Sequence, residues 1–488
     1  MVRIGLAGAW GGGMGDRDPS SLLGRRVEPN AGPSTSLRSA QDDNFLGQRE
    51  RTNATLEGRT SRRSFCAGVA SCGALLLARR GVAGGLMPAA AVGTATRPDV
   101  AAIDHDRILA AAERWLGQRP VTLTAYPCVR SLGTAHDYYS EVEAVEGLVD
   151  SPKDKAGMQT PFLAHRDAMF DLGVAVPALA AAYLLTNEGR YAEHAAGWLK
   201  AWFVDAATRM TPRLDFARTP NARTVSGRGD GDFAATLYAG GTPEGILETL
   251  PLVEVALAIP FLCSSAGLGD ADAKAVKAWF ADYVRWLTAA EDNGPRLAAL
   301  ARDRKDHHGT SWLLQASAYT LLGVAQSDVE RVEDSGLSAL RHRLKTVTLR
   351  AQIHADGTFL QELVSATPYR DSLFNLDMMA GVCHLLSTRL DSIWNYSLQD
   401  GPGMRSAIAF HFPYIADRSM WPYRADQDHF KELPGRRGSL LLCARAYERP
   451  EYAALWKGLQ PDAPSLAIQR TMPIRQLLLW VQKAPARL

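Results

Sequence analysis

From Asp99 onward the chain is a succession of Ala- and Leu-rich stretches whose apolar residues recur every three or four positions, a periodicity that only helices satisfy. Asp171–Leu185 and Tyr191–Val204 are two such stretches. Between them lies the polar turn Thr186-Asn187-Glu188-Gly189-Arg190, with Gly189 as the expected helix stop. So short a connection makes the pair an antiparallel hairpin. The unit recurs near the C-terminus, where Ser439–Tyr447 runs through Glu448-Arg449-Pro450-Glu451 into Tyr452–Leu459. In both, an Ala-Tyr pair stands near the end of the first helix and a Tyr-Ala pair opens the second. Further helices are expected over Gly245–Leu262, Asp272–Ala290, Ser311–Leu322, Ser335–His354 and Ser372–Thr388. No alternating run is long enough to demand a large sheet. Repeated helical hairpins therefore predict an all-α chain, an (α/α) toroid or incomplete barrel whose inner helices line a cleft. The Gly- and Arg-rich stretch Thr219–Gly245 interrupts the pattern and reads as a long loop beside that cleft.

The first hundred residues differ in kind. Residues 1–60 are rich in Gly, Ser, Arg and Asn without a hydrophobic period, and read as disordered or as an extension ahead of a later start. Ser61-Arg62-Arg63-Ser64-Phe65 then precedes the apolar run Cys66–Ala78, and Ala89–Ala95 offers small residues for cleavage. Residues 61–97 are read as a twin-arginine signal peptide, too short in its apolar part to span a bilayer. A periplasmic or secreted protein is expected, with residues 98–488 as its working domain, a monomer without membrane attachment once the signal is removed. Up to Arg97 there are thirteen Arg, no Lys and seven acids, so the overall charge of +2 conceals a slightly acidic body. Bulk charge thus excludes a nucleic-acid partner, and an anionic ligand must meet a local basic cluster. Cys128, Cys263, Cys383 and Cys443 are scattered without a CxxC pair, and read as small buried hydrophobes.

Two polar clusters carry chemical potential. Arg302-Asp303-Arg304-Lys305-Asp306-His307-His308-Gly309-Thr310-Ser311-Trp312 leads into an apolar helix, and in a pre-helix turn both histidines would face one cavity. The HExxH and Hx3–5H spacings of zinc sites are absent, so no metal ligand set is assigned. The second cluster runs from Glu362 to Leu376. There Pro368 ends any preceding element and Ser372 can start the next, which leaves Tyr369, Arg370 and Asp371 on a connection with their heads exposed. A phenol, a guanidinium and a carboxylate suffice for acid–base work on an anionic substrate. A solvated polar network accounts for the same residues without catalysis.

Several blocks resemble the alginate lyase family. His136-Asp137-Tyr138-Tyr139-Ser140-Glu141 is similar to its opening Tyr-Phe/Tyr-Ser-Glu segment, and Phe162-Leu163-Ala164-His165-Arg166-Asp167-Ala168 to its F-x-x-H-R-x-A helix. Trp198–Asp205 with Ala207-Thr208-Arg209-Met210 resembles its L-x-A-W-F-x-D-P-x-T-x-M-N-P block. Gly227-Arg228-Gly229 is similar to its G-R-G, Asp306-His307-His308-Gly309 stands where it has N-N-H-G, and Ser372-Leu373-Phe374-Asn375-Leu376 matches its S-L-F-N-L. Gly403-Met404-Arg405, Phe412–Ile415 and Trp421-Pro422-Tyr423 follow in order, so the resemblance covers roughly residues 134–460.

The resemblance implies an (α/α) toroid that cleaves a uronic-acid-containing polysaccharide by β-elimination, with no cofactor. It implies a catalytic role for His308, with His307 in the slot of the family's second Asn. The family's Arg and Tyr slots hold Ser365 and Asp371 here, which leaves Tyr369, Arg370 or Asp371 to substitute for them. Tyr139, His165, Arg166, Arg228 and Trp312 are the expected substrate-binding residues. Alginate, glucuronan and similar polyuronates all fit, because Val142–Gly147 replaces the family's D-Y-W-W-P. Two alternatives remain: a glycoside hydrolase using Asp371 with Glu362 or Asp306, and a polysaccharide-binding protein without turnover.

Overall fold

The computed structural model describes residues 97–142, 160–220, 240–289, 296–324, 336–399 and 401–483. The expectations for residues 1–60, for the signal segment before Arg97 and for Arg228 lie outside the described residues. Among the described residues the α-helices of seven residues or more, in chain order, are α1 (Val100–Leu116), α2 (Ala164–Thr186), α3 (Gly189–Phe203), α4 (Leu252–Leu262), α5 (Asp270–Thr288), α6 (Arg296–Arg302), α7 (His307–Gly323), α8 (Gly336–Arg343), α9 (Pro368–Leu386), α10 (Met404–Ala416), α11 (Gly438–Tyr447) and α12 (Pro450–Gly458).

These helices pack in two layers. α2, α4, α7, α9 and α11 lie side by side in that order, while α1 and α3 pack on α2, α5 and α8 on α7, and α12 on α11. The inner members are apolar around most of their circumference, as helices packed on several sides must be. α2 and the segment Pro243–Leu262 are long and apolar enough to cross a membrane, yet most of their residues are buried inside the fold. Outer helices are one-sided: α3 buries Trp198, Trp202 and Phe203, and α5 buries Trp279, Phe280 and Tyr283. Each such ring, removed from water, contributes about 2–3 kcal/mol before entropy is counted. The result is all-α, an incomplete (α/α) toroid. Among the described residues the sheet is one parallel pair, β1 (Tyr139–Glu141) and β2 (Phe216–Thr219), with Tyr139 opposite Phe216.

The two hairpins turn alike. Asn187 after α2 and Glu448 after α11 both adopt the left-handed conformation, at φ 56° and 54°, and their N–H groups close on the Tyr183 and Ala444 carbonyls. Gly189, expected as the stop, instead begins α3, because Asn tolerates the left-handed position as the helix terminator. The expected helix Gly245–Leu262 is broken into a 3-10 helix, Pro243–Thr249, and α4, since Pro251 has no amide to continue the ladder. Ser335–His354 is likewise divided, with a π-helical stretch at Leu344–Thr348 between α8 and the turn Leu349–Gln352.

Two corrections bear on the site. α7 begins at His307, with Asp306 as its N-cap, so both histidines belong to the first helical turn and not to a turn before it. α9 begins at Pro368, a residue whose fixed φ suits the first position of a helix. Tyr369, Arg370 and Asp371 therefore stand on α9 and not on a free connection.

Candidate active site

The N-terminal turns of the neighbouring inner helices α7 and α9 meet the short helix Leu360–Leu363, and this meeting point gathers the site. Asp306 builds the α7 end: one carboxylate oxygen accepts the His308 backbone N–H and ring Nδ1, each at 3.1 Å. Its other oxygen pairs with Arg304 at 2.6 Å, and Arg304 also reaches Glu244 at 3.3 Å. Burial opposes ionisation of Asp306, but the hydrogen bonds from His308 and Arg304 hold it well below the usual carboxylate range. A carboxylate only accepts, so Nδ1 of His308 carries its proton toward Asp306 and the neutral ring keeps its lone pair on Nε2.

His307 is held by a different carboxylate. Glu362 accepts the His307 backbone N–H through one oxygen and ring Nδ1 through the other, both at 2.7 Å. Asn375 of α9 donates to the first of these oxygens at 2.9 Å and to Gln352 at 2.8 Å, and Gln352 also accepts from Thr310 at 2.7 Å. The two histidine rings lie 4.2 Å apart. Burial disfavours charge on His307, but Glu362, Asp371 and Asp306 more than offset it and raise its pKa to about 9. His308 moves the other way: burial, then the charge on His307, lowers it. The pair is thus one imidazolium beside one neutral imidazole, the separation of pKa values that acid–base sites use.

Asp371 comes close to this pair. Its carboxylate, that of Glu362 and a His307 ring nitrogen lie within 4.8 Å of one another, a spacing that could also hold a metal ion. Asp371 accepts from Thr367 at 3.0 Å and from Arg370 at 3.3 Å, and Arg370 reaches on to Asp428 at 3.1 Å. Tyr369 does not join them. It is fully buried, its hydroxyl donates to the Tyr414 carbonyl at 2.9 Å, and its ring packs edge-on against Trp421 and Phe430. Ser365, in the family's Arg slot, receives on its carbonyl the guanidinium of Arg424.

Among the expected substrate-binding residues, three face inward and have structural duties. His165 accepts the Tyr139 N–H at 3.0 Å and bonds the Tyr126 carbonyl at 2.9 Å. The Tyr139 hydroxyl donates to Glu141 at 2.7 Å, and Glu141 is clamped by Arg130. Trp312 is buried, its indole N–H on the Leu287 carbonyl at 3.0 Å. Arg166 lines a cavity of about 170 Å³ with Arg218, Arg470, Arg475, Glu248 and Phe374. The Phe374 ring, 5.6 Å from that of His307, joins this basic cavity to the histidine pair. Sequence reasoning passed over Arg218, Arg470 and Arg475, because residues so far apart in the chain carry no common signal before folding. In the sequence Glu362 enters only as a hydrolytic acid, since its pairing with His307 depends on the packing of α7 against the short helix Leu360–Leu363.

The family model described as Alginate lyase matches residues 122–421. The chain belongs to the alginate lyase family. Among solved structures it is similar to an alginate lyase from Bacteroides ovatus, at 24% identity and a TM-score of 0.60, over 81% of this chain and 97% of that one. The alginate lyase A1-III from Sphingomonas species A1 aligns at 13% identity and a TM-score of 0.38, over 68% of this chain and 84% of that one. No curated protein matches the chain.

Proposed function

We propose that the protein cleaves a uronic-acid-containing polysaccharide, alginate or glucuronan among the candidates, by β-elimination at the His307–His308 pair. The observation that carries this reading is the contact of two histidine rings, 4.2 Å apart, one held at Nδ1 by Glu362 and the other at Nδ1 by Asp306. The reaction needs the C6 carboxylate neutralised, the C5 proton removed and the leaving O4 protonated. The imidazolium of His307, its Nδ1 proton held by Glu362, offers its Nε2–H to the carboxylate, which favours the enolate-like charge of the transition state. Nε2 of His308 takes the C5 proton. The electron pair forms the C4–C5 double bond as the C4–O4 bond breaks, and O4 receives the proton from His308.

The four arginines of the adjoining cavity suit further acidic groups of the same polymer, which meets the requirement for a basic cluster on an acidic body. Tyr369 keeps a structural part in this scheme, and Asp371 acts through the charge it places near His307. The hydrolase alternative is disfavoured because Glu362 is spent on two short bonds to His307. Export to the periplasm or beyond fits a polymer too large to enter the cell, and is supported by the twin-arginine segment.

The test is incubation of the folded protein with a panel of polyuronates while following the ultraviolet absorbance of the unsaturated product. Absorbance that grows with at least one polymer and vanishes in His308→Ala supports the lyase. Reducing ends without the chromophore would replace it with a hydrolase, and binding without either would leave a carbohydrate-binding protein.

A further inference from the structure

We propose that a second cavity, between α1, α4 and the C-terminal segment, is a binding site for a single hexuronate, a sugar ring that carries one carboxylate and several hydroxyls. The site shares no residue with the histidine pair and does not depend on the lyase reading. Its volume is about 310 Å³, against 170 Å³ for the basic cavity beside Phe374. Pockets for small ligands run from about 300 to 1,000 Å³, which puts this one at the small end. α1 turns one face to it, Asp104, Arg107, Ala111 and Arg114, at steps of three and four residues. The C-terminal segment separates the two cavities. Thr471 and Pro473 line the basic one, Met472, Ile474 and Gln476 line this one, and Arg475 lines both.

The inner end is firmly built. Asp104, 2% exposed, accepts from Arg107 Nη2 at 3.0 Å and from Arg436 Nη1 at 2.6 Å. Glu254, 1% exposed, gathers on one oxygen the N–H groups of Arg475 and Gln476, both at 2.8 Å, and the Trp480 indole at 2.9 Å. Polar atoms of the lining residues are nonetheless left over. Nε of Arg107, Nε of Arg436 and Oε1 of Gln476 are buried without a hydrogen-bond partner, and Gln476 is only 5% exposed. The second Glu254 oxygen also lacks one, its approach to Arg475 Nε being 3.8 Å. Buried polar groups are almost always paired, so two spare donors and two spare acceptors beside one space call for a ligand that both accepts and donates. Four arginines face three carboxylates among the described lining residues, which favours one negative charge on that ligand. Val174, Met472, Ile474 and Leu477 give the same space an apolar side, suited to the C–H face of a pyranose. Acetate would leave Gln476 and Glu254 unpaired, and a neutral sugar would leave the charge uncompensated. Arg114 and Asp462 stand at the exposed rim, where a ligand enters.

The experiment is isothermal titration calorimetry of the intact chain with sodium glucuronate, sodium mannuronate, glucose and sodium acetate. At least one uronate is expected to bind once per chain, about tenfold or more tighter than glucose and acetate, the worth of a charge-assisted hydrogen bond. Arg114→Ala and Gln476→Leu should each weaken that binding by about tenfold, while His308→Ala and Arg218→Ala leave it unchanged. Acetate binding as tightly as the uronates overturns the proposal, since the cavity then holds any small anion. No binding of either uronate overturns it too and leaves the cavity to water. Binding lost in His308→Ala or Arg218→Ala, yet intact in Arg114→Ala, places the sugar in the histidine cleft and overturns it as well. If Gln476→Leu does not fold, Arg114→Ala at the rim decides. Uronate binding with this pattern in a protein that cuts no polyuronate sinks the lyase reading and leaves this site standing.

Discussion

At the scale of single residues, the site depends on how two adjacent histidines are made unlike. Burial and the charge on His307 disfavour a proton on His308, Asp306 orients it with its lone pair on Nε2, and Glu362 favours the proton on His307. Removing His308 is expected to lower kcat by about 10²–10⁴-fold, the usual worth of a general base, while binding of the polymer is largely retained. Kinetics and a binding isotherm on His308→Ala check both halves. The charge on His307 also enters stability. Its folded pKa is raised to about 9, so its contribution is fully present below the unfolded value of about 6.5 and disappears as pH rises through 9. Denaturant unfolding at pH 6, 8 and 10 should show wild type losing stability across this window, with a smaller loss in His307→Gln.

At the scale of elements, the histidine pair is only as well placed as the first turn of α7. Gly309 allows the close approach: a Cβ there would stand 2.2 Å from the Arg304 carbonyl oxygen. Gly309→Ala should therefore shift the start of α7, at a cost of about 1–3 kcal/mol, with activity falling further than stability predicts. Thermal melts and initial rates on the same preparation separate the two. The glycine after the histidine in the family's N-N-H-G block thus has a steric reason in this chain. Pro368 looked like a terminator but serves as a first helical residue, and only its neighbours in space show which. Asp426, far along the chain, accepts the N–H groups of Tyr369 and Arg370 at 2.8 and 3.0 Å and so completes that helix start.

At the scale of the whole molecule, inner helices bring distant charges together. Arg437 of the segment before α11 is fully buried beside Asp377 of α9, at 3.1 Å, and Asp377 also accepts from Ser439. Truncating Arg437 to Ala strands a buried carboxylate and should cost about 3–5 kcal/mol, measurable by denaturant unfolding. The basic cavity behind Phe374 is assembled in the same way from α2, β2 and the C-terminal segment. Substituting Arg218 or Arg470 with Ala should raise KM for a polyuronate and weaken its dependence on salt, with kcat less affected. The amino-acid sequence by itself determined the helices and hairpins, because apolar spacing and turn residues act over a few positions. It also carried the family resemblance and the motif around His308, which are contiguous in the chain. Only the tertiary structure decided that Tyr369 turns inward onto the Tyr414 carbonyl, that Glu362 belongs to His307, and that four separate arginines share one cavity. Those outcomes depend on which inner helices become neighbours, and side-chain direction and charge pairing are settled only once those neighbours have packed.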